Sequence, residues 1–149
     1  MANSTQYTKI LAGVPKLDTN EDGGKIRIAY GDFTFANTAV GSVNMFKLPN
    51  GARLISGRVH GAGIGSNVTL SVGYAAYVKP DGTAVNAATA GYKALAAANG
   101  VVDVDILATV ALGEDSVVDT TTEGLVVTAT TAAAAATGKI SVKILYSYN

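Results

Sequence analysis

The chain has no cysteine, no tryptophan, one histidine and three prolines among its 149 residues. Without cysteine there is no disulfide framework, no thiolate metal site and no cysteine nucleophile, so stability rests on packing and assembly. With one histidine, His60, every serine–histidine–acid arrangement would have to be built on that residue. Charge is scarce as well. Asp, Glu, Lys and Arg make up 15% of the chain, against about a quarter in an ordinary soluble domain. Cations and anions cancel to a formal net charge of zero, which argues against nucleic acid or a membrane surface as an electrostatic partner. No apolar run approaches the roughly 18 residues of a membrane span. The opening MANSTQYTKILAGVP lacks a basic region followed by a long apolar one and is not read as a secretory signal.

What replaces charge is Gly, Ala, Thr, Ser and Asn, because the apolar share of 48% is ordinary. A surface this plain is expected to be covered by other chains, so the sequence predicts a homo-oligomer. The length suits one domain with one core. Residues 1–24 carry no sustained period and end in the loop-like Asp18-Thr19-Asn20-Glu21-Asp22-Gly23-Gly24. They read as an N-terminal arm that docks through Tyr7, Ile10, Leu11 and Val14, the candidate partner-binding residues. Residues 25–149 read as the folded domain.

Lys25–Phe35 alternates, with Ile26, Ile28 and Tyr30 on one side and Lys25, Arg27 and Ala29 on the other. This predicts a half-buried strand with a bulge or bend at Gly31-Asp32, ahead of Phe33–Phe35. Val43–Leu48 is a strand that ends at the turn Pro49-Asn50-Gly51. Arg53–Gly61 and Val68–Val78 are strands separated by a glycine break, and Lys79-Pro80-Asp81-Gly82 is a second turn. Asn86–Gly100, rich in alanine and closed by Gly100, predicts a short helix leaning on the sheet through Tyr92 and Leu95. Strands return at Val101–Leu112, Gly124–Thr130 and Lys139–Tyr148, and the alanine run 132–136 is a hairpin loop. In the last strand Ile140, Val142, Ile144, Tyr146 and Tyr148 share a face. The fold class is all-β: an antiparallel β-sandwich, jelly-roll-like, with one short helix and an extended N-terminal arm.

Few residues point to chemistry. Asp18–Gly23 matches the first half of a calcium loop, but its twelfth position is Ala29, inside a strand, so it reads as a solvated turn and no metal is expected. His60 sits mid-strand with Ser56 four residues back, and LISGR is no nucleophile elbow. Gly61-Ala62-Gly63-Ile64-Gly65 leads into a strand, so no helix N-terminus is there to hold a phosphate. Asp103 and Asp105 share a strand face and are expected to meet Lys139 and Lys143 across the sheet. The Asn3 and Asn67 acceptor patterns for glycosylation read as chance. No cofactor and no enzymatic activity are expected.

The stretch LPNGARLISGRVHGAGIGSNVTLSVGY, Leu48–Tyr74, resembles the small β-sandwich head-decoration, cement or minor capsid proteins of tailed bacteriophages. The likeness continues through the Asp81-Gly82 turn, GYKALAAAN and a closing strand that ends in tyrosines. It covers residues 43–148 as an order of elements and Leu48–Tyr74 closely. The resemblance implies a homo-oligomer, most often a trimer, bound to the major capsid protein on the outer surface of the head and bridging capsomers. It implies a virion location after synthesis in the host bacterial cytoplasm, and no active site. The alternative expectation is a carbohydrate- or receptor-binding fibre or spike module, against which the lack of tryptophan counts.

Overall fold

The structure is a computed structural model that describes residues 25–94, 97–108, 116–121 and 123–148. The expected arm with Tyr7, Ile10, Leu11 and Val14, the calcium-like loop, and Leu95 lie outside the described residues. Ten strands follow in order: β1 Lys25–Thr38, β2 Gly41–Leu48, β3 Arg53–Gly61, β4 Thr69–Tyr74, β5 Tyr77–Val78, β6 Ala84–Val85, β7 Ala88–Ala94, β8 Val102–Asp105, β9 Leu125–Ala132 and β10 Ala136–Tyr148. One sheet has the order β1-β10-β3-β8, the other β2-β9-β4-β7, and β5-β6 is a separate two-stranded ribbon. All pairings are antiparallel. Leaving the ribbon aside, the first strand lies beside the last, and two sheets of four strands exchange the chain repeatedly. That is the double Greek key of a jelly roll.

The core lies between the sheets. Val59, Ile140, Val142 and Ile144 come from one side, Leu70, Val72, Val127 and Ala129 from the other, all buried. In β10 the expected alternation holds. Ile140, Val142, Ile144 and Tyr146 face inward, while Lys139 and Lys143 are exposed on the other face. The glycine break between β3 and β4 is a plug. Ile64 is buried, its N–H donates to the Ala98 carbonyl at 2.7 Å, and its carbonyl accepts from the Thr137 N–H at 2.8 Å. Gly63, at φ +97°, supplies the left-handed conformation this loop needs. The Pro49-Asn50-Gly51 turn closes as expected, with the Ala52 N–H on the Pro49 carbonyl at 3.2 Å.

Three sequence expectations need correction. Residues 88–94 of the expected helix are instead strand β7, which pairs with the edge of β4 through Ser71↔Ala94, Val72↔Lys93 and Tyr74↔Ala88. Alanine's advantage in a helix is only tenths of a kcal/mol per residue, and Gly91 forfeits about 1 kcal/mol of it. An open sheet edge and the burial of Tyr92 outweigh that. Second, β1 has no bulge at Gly31-Asp32. Its register with β10 is unbroken from Lys25↔Tyr148 to Ala36↔Thr137 and shifts only around Asn37, at φ +56°. Third, the strand expected over Val101–Leu112 is only Val102–Asp105. The Asp105 carboxylate accepts from the Leu107 N–H at 2.8 Å and turns the chain, and residues 109–112 lie outside the described set.

Candidate functional site

The outward face of the β1-β10-β3-β8 sheet carries the polar groups singled out in the sequence. The registers place Asp32, Ser141, His60 and Asp103 in one transverse row, one residue from each strand. This row brings a serine, the histidine and two acids together, a grouping that sequence spacing does not reveal. Its hydrogen bonds run the wrong way for nucleophilic catalysis. The Ser141 hydroxyl donates to the Asp32 carboxylate, and Lys139 Nζ lies 2.8 Å from the other oxygen of that carboxylate. Lys139 first, and Ser141 second, hold the Asp32 carboxyl below its ordinary value of 3.8. A serine nucleophile needs its proton directed at a base, and here that proton is on a carboxylate tied to a lysine. Ser56, the serine paired with His60 in the sequence reading, lies four strand positions away, about 13 Å along β3.

Asp103 and Asp105 part company. Asp103 accepts from Arg58 Nε at 3.0 Å and forms an ion pair with the same guanidinium, Nη2 to Oδ1 at 2.9 Å, while Asp105 ends β8 as described. Lys139 and Lys143 are therefore not their partners, because β3 lies between β10 and β8. For Asp103, ion pairing was the right expectation with the wrong cation. Among the described residues no group of three or more His, Cys, Asp or Glu could hold a metal ion, and no helix is long and apolar enough to cross a membrane.

Beside the polar row lies an apolar stripe that the sequence reading did not place on the surface. Ile26, Ile28 and Tyr30 are 69%, 54% and 68% exposed on the outward face of β1. Buried Phe35 fixes which side of β1 faces the core, and with an unbroken two-residue period Phe33, Gly31 and Ala29 follow it inward. The even-numbered residues must then face out. A shallow groove lined by Ile28, Tyr30, Asp32, Ser141 and Lys143 runs along this stripe. The opposite sheet presents a plainer face, where the Ser42 and Thr130 hydroxyls share a hydrogen bond at 2.7 Å and Ser71 Oγ donates to the Thr130 carbonyl.

Another concavity is a cleft of about 220 Å³ lined in part by Tyr74, Tyr77, Lys79, Tyr92 and Asp119. Its rings pack edge to face on one another, with centroids 5.8 Å apart for both Tyr74–Tyr77 and Tyr74–Tyr92. Burial pushes the Tyr92 phenol well above its ordinary value, so it is neutral at physiological pH.

No protein-family model matches the chain, and no curated protein matches it in sequence. Solved structures do match its fold. A chain of the cyanophage Pam1 capsid asymmetric unit matches with a TM-score of 0.58 at 19% identity, over 85% of this chain and 87% of that one. A chain of the acid-stable capsid of Helicobacter pylori bacteriophage KHP30 matches with a TM-score of 0.51 at 19% identity, over 85% and 90%. A chain of the Ralstonia phage GP4 capsid matches with a TM-score of 0.50 at 19% identity, over 91% and 89%. The likeness to phage capsid proteins expected from Leu48–Tyr74 is thus met at the level of the fold, which this jelly roll shares with chains of three phage capsids.

Proposed function

We propose that the chain is a virion structural protein of a bacteriophage, a decoration or cement protein that binds the outer surface of the head and stabilises contacts between capsomers. The observation that carries this reading is the reach of the fold likeness. It takes in 85–91% of this chain and 87–90% of the matched capsid chains, so it spans whole small chains rather than one domain of a large one. The surface supports it too. A low-charge sandwich with an exposed apolar stripe is suited to burial against protein.

A cement protein works by mass action. Each bound copy adds its binding free energy to the cost of separating the capsomers it bridges, and the effect multiplies over many copies. In this reading the partner is the major capsid protein, the protein is a homo-oligomer, a trimer, and Tyr7, Ile10, Leu11 and Val14 grip the shell. Catalysis, metal and cofactor have no part in it.

Electron microscopy of the particle that carries this chain tests the reading. Density for the jelly roll on the outside of the shell, over the junctions between capsomers, is the expected result. Its absence from the head, or a place at the tail tip, would favour the second reading, a glycan- or receptor-binding fibre module. That alternative draws on the tyrosine-lined cleft and on the use of jelly rolls by lectins. The cleft is smaller than the 300–1,000 Å³ usual for ligand pockets, which makes it the weaker reading.

A further inference from the structure

The apolar stripe on β1 does not stop at that strand. Ile28 pairs with Leu145 of β10, and Leu145 pairs with Ser56 of β3. Leu145 has the same parity as exposed Lys143, so it lies on the outward face, where it is half-buried. Ile55, 38% exposed, sits where β3 slips against β10. With Ile26 and Tyr30 these residues make an apolar band across the end of the sheet where β1 begins. Apolar surface gathered in this way marks a contact site, whereas single exposed apolar residues do not.

The chain that precedes the described residues ends at this band. Residues 1–24 join β1 at Lys25, next to Ile26. Gly23-Gly24 allows the backbone to reverse there, since glycine adopts positive φ about as readily as negative. Reach is ample. The stripe from Ile26 to Tyr30 is about 13 Å long, and β1 to β3 across β10 is about 10 Å. Residues 15–24 alone can span up to about 33 Å. Composition matches as well, because Tyr7, Ile10, Leu11 and Val14 bring large apolar side chains close together in sequence. So does charge. Asp18, Glu21 and Asp22 precede a strand whose first charges, Lys25 and Arg27, are both cations, and Lys143 stands opposite Tyr30 on the outward face.

From this we infer that, in the free protein, residues 7–14 fold back onto the outward face of the β1-β10-β3-β8 sheet of their own chain and cover the band of Ile26, Ile28, Tyr30, Leu145 and Ile55. The tether makes the contact intramolecular. A short tether holds its two ends at an effective concentration in the mM range, so even a weak affinity populates the contact. A weak contact adds little to the melting temperature, but it changes what the arm can do. The same side chains cannot cover the sheet and grip a partner at once. A partner therefore meets a population in which only some arms are free, and its apparent affinity falls by that fraction. This competition rests on the docking role proposed for the arm, whereas the fold-back itself does not.

The absence of native cysteine permits a single spin label in the full-length protein. A nitroxide on Thr8→Cys, a polar position between the apolar ones, should cut the amide signals of Ile28, Tyr30, Leu145 and Ile55 at least about two-fold, as a mostly populated tethered contact requires. Ser71 and Thr130, on the outward face of the other sheet, should keep theirs. Adding Ile28→Asp, which sets a carboxylate in the band beside an acidic segment, should restore the signals of Tyr30, Leu145 and Ile55. The melting temperature should not change, because position 28 is exposed. When spin-labelled protein of natural isotope abundance is denatured and refolded together with unlabelled ¹⁵N protein, the ¹⁵N copies should keep all these signals.

The inference is overturned if the label spares the band, or if the loss survives Ile28→Asp, because the tether alone would then account for it. It is equally overturned if the ¹⁵N copies in the mixture lose the band signals. In that case the segment of a neighbouring copy covers the band. None of these outcomes bears on whether the protein binds a capsid.

Discussion

Gly31 shows how one missing side chain can set a local structure. A Cβ at this position would lie 2.5 Å from the Met45 carbonyl oxygen, and backbone cannot swing aside as a side chain can. Met45 is also where β2 slips against β9, between the pairs Asn44↔Thr128 and Phe46↔Val127. Glycine at 31 therefore serves the crossing of β1 over a bulge in the other sheet. Gly31→Val should cost about 2–3 kcal/mol, read as a lower denaturant midpoint with an unchanged slope. Asp32, next in sequence, offers a pH test. Its folded value is depressed, so its pairing contributes stability above the unfolded value of 3.8, and that contribution fades as pH falls through the folded value. In Lys139→Ala the Asp32 carboxyl should titrate closer to 3.8, as read by carbon-detected NMR, with little change in stability at pH 7 because the pair is solvent-exposed.

At the scale of elements, β10 was legible because it alternates between a buried and a solvated face, and β3 was legible although its buried parity flips where its register with β10 shifts, between the pairs Leu145↔Ser56 and Tyr146↔Leu54. The turn at Pro49-Asn50-Gly51 and the Ile64 loop were legible through glycine and proline chemistry. Strand β1 was harder, since it carries two apolar sets of opposite parity, Ile26/Ile28/Tyr30 and Phe33/Phe35. A bulge at Gly31-Asp32 would have turned both sets toward one core. The chain instead keeps its register and leaves one set outside, a choice made by β10 and β2 rather than by local sequence. Strand β7 was misread because alanine propensity is a local signal, while its partners on the edge of β4, from Tyr74 opposite Ala88 to Ser71 opposite Ala94, are distant in sequence. The transverse polar row was invisible for the same reason, since only strand pairing assembles it. Tyr92 anchors β7 in the core, so Tyr92→Ala should destabilise the domain by about 3–5 kcal/mol. Tyr92→Phe should stay within about 1 kcal/mol. Thermal or urea unfolding of the pair would separate packing from any role of the hydroxyl.

At the scale of the molecule, the proposed division between a docking arm and a folded domain predicts a clean separation of two measurements. Deleting residues 1–24 should change the melting temperature of the free protein by less than about 5 °C, roughly 1 kcal/mol for a domain of this size. Binding to capsids should fall sharply. Tyr7→Ala and Leu11→Ala should each weaken that binding by about 1–2 kcal/mol. A truncated protein that decorates heads as tightly as the full chain would move the contact to the sandwich itself, where the plain hydroxyl face of β2-β9-β4-β7 would be the first place to look.

The pairing of the first strand with the last has a mechanical consequence. Lys25 and Tyr148 are direct partners at one end of the β1–β10 ladder, so the two chain ends of the sandwich leave it side by side. The ladder's hydrogen bonds lie across the strands. Tension that draws those two ends apart therefore loads the bonds one after another, like a zipper, and not all together in shear. A sandwich held by its arm and tugged at Tyr148 should peel at low force, beginning with β1. The same sandwich gripped through the Lys79–Gly82 turn and the arm would bring several strands into play before anything gives. If the arm is the part that grips the shell, a pressurised head is best served when no load reaches the last strand.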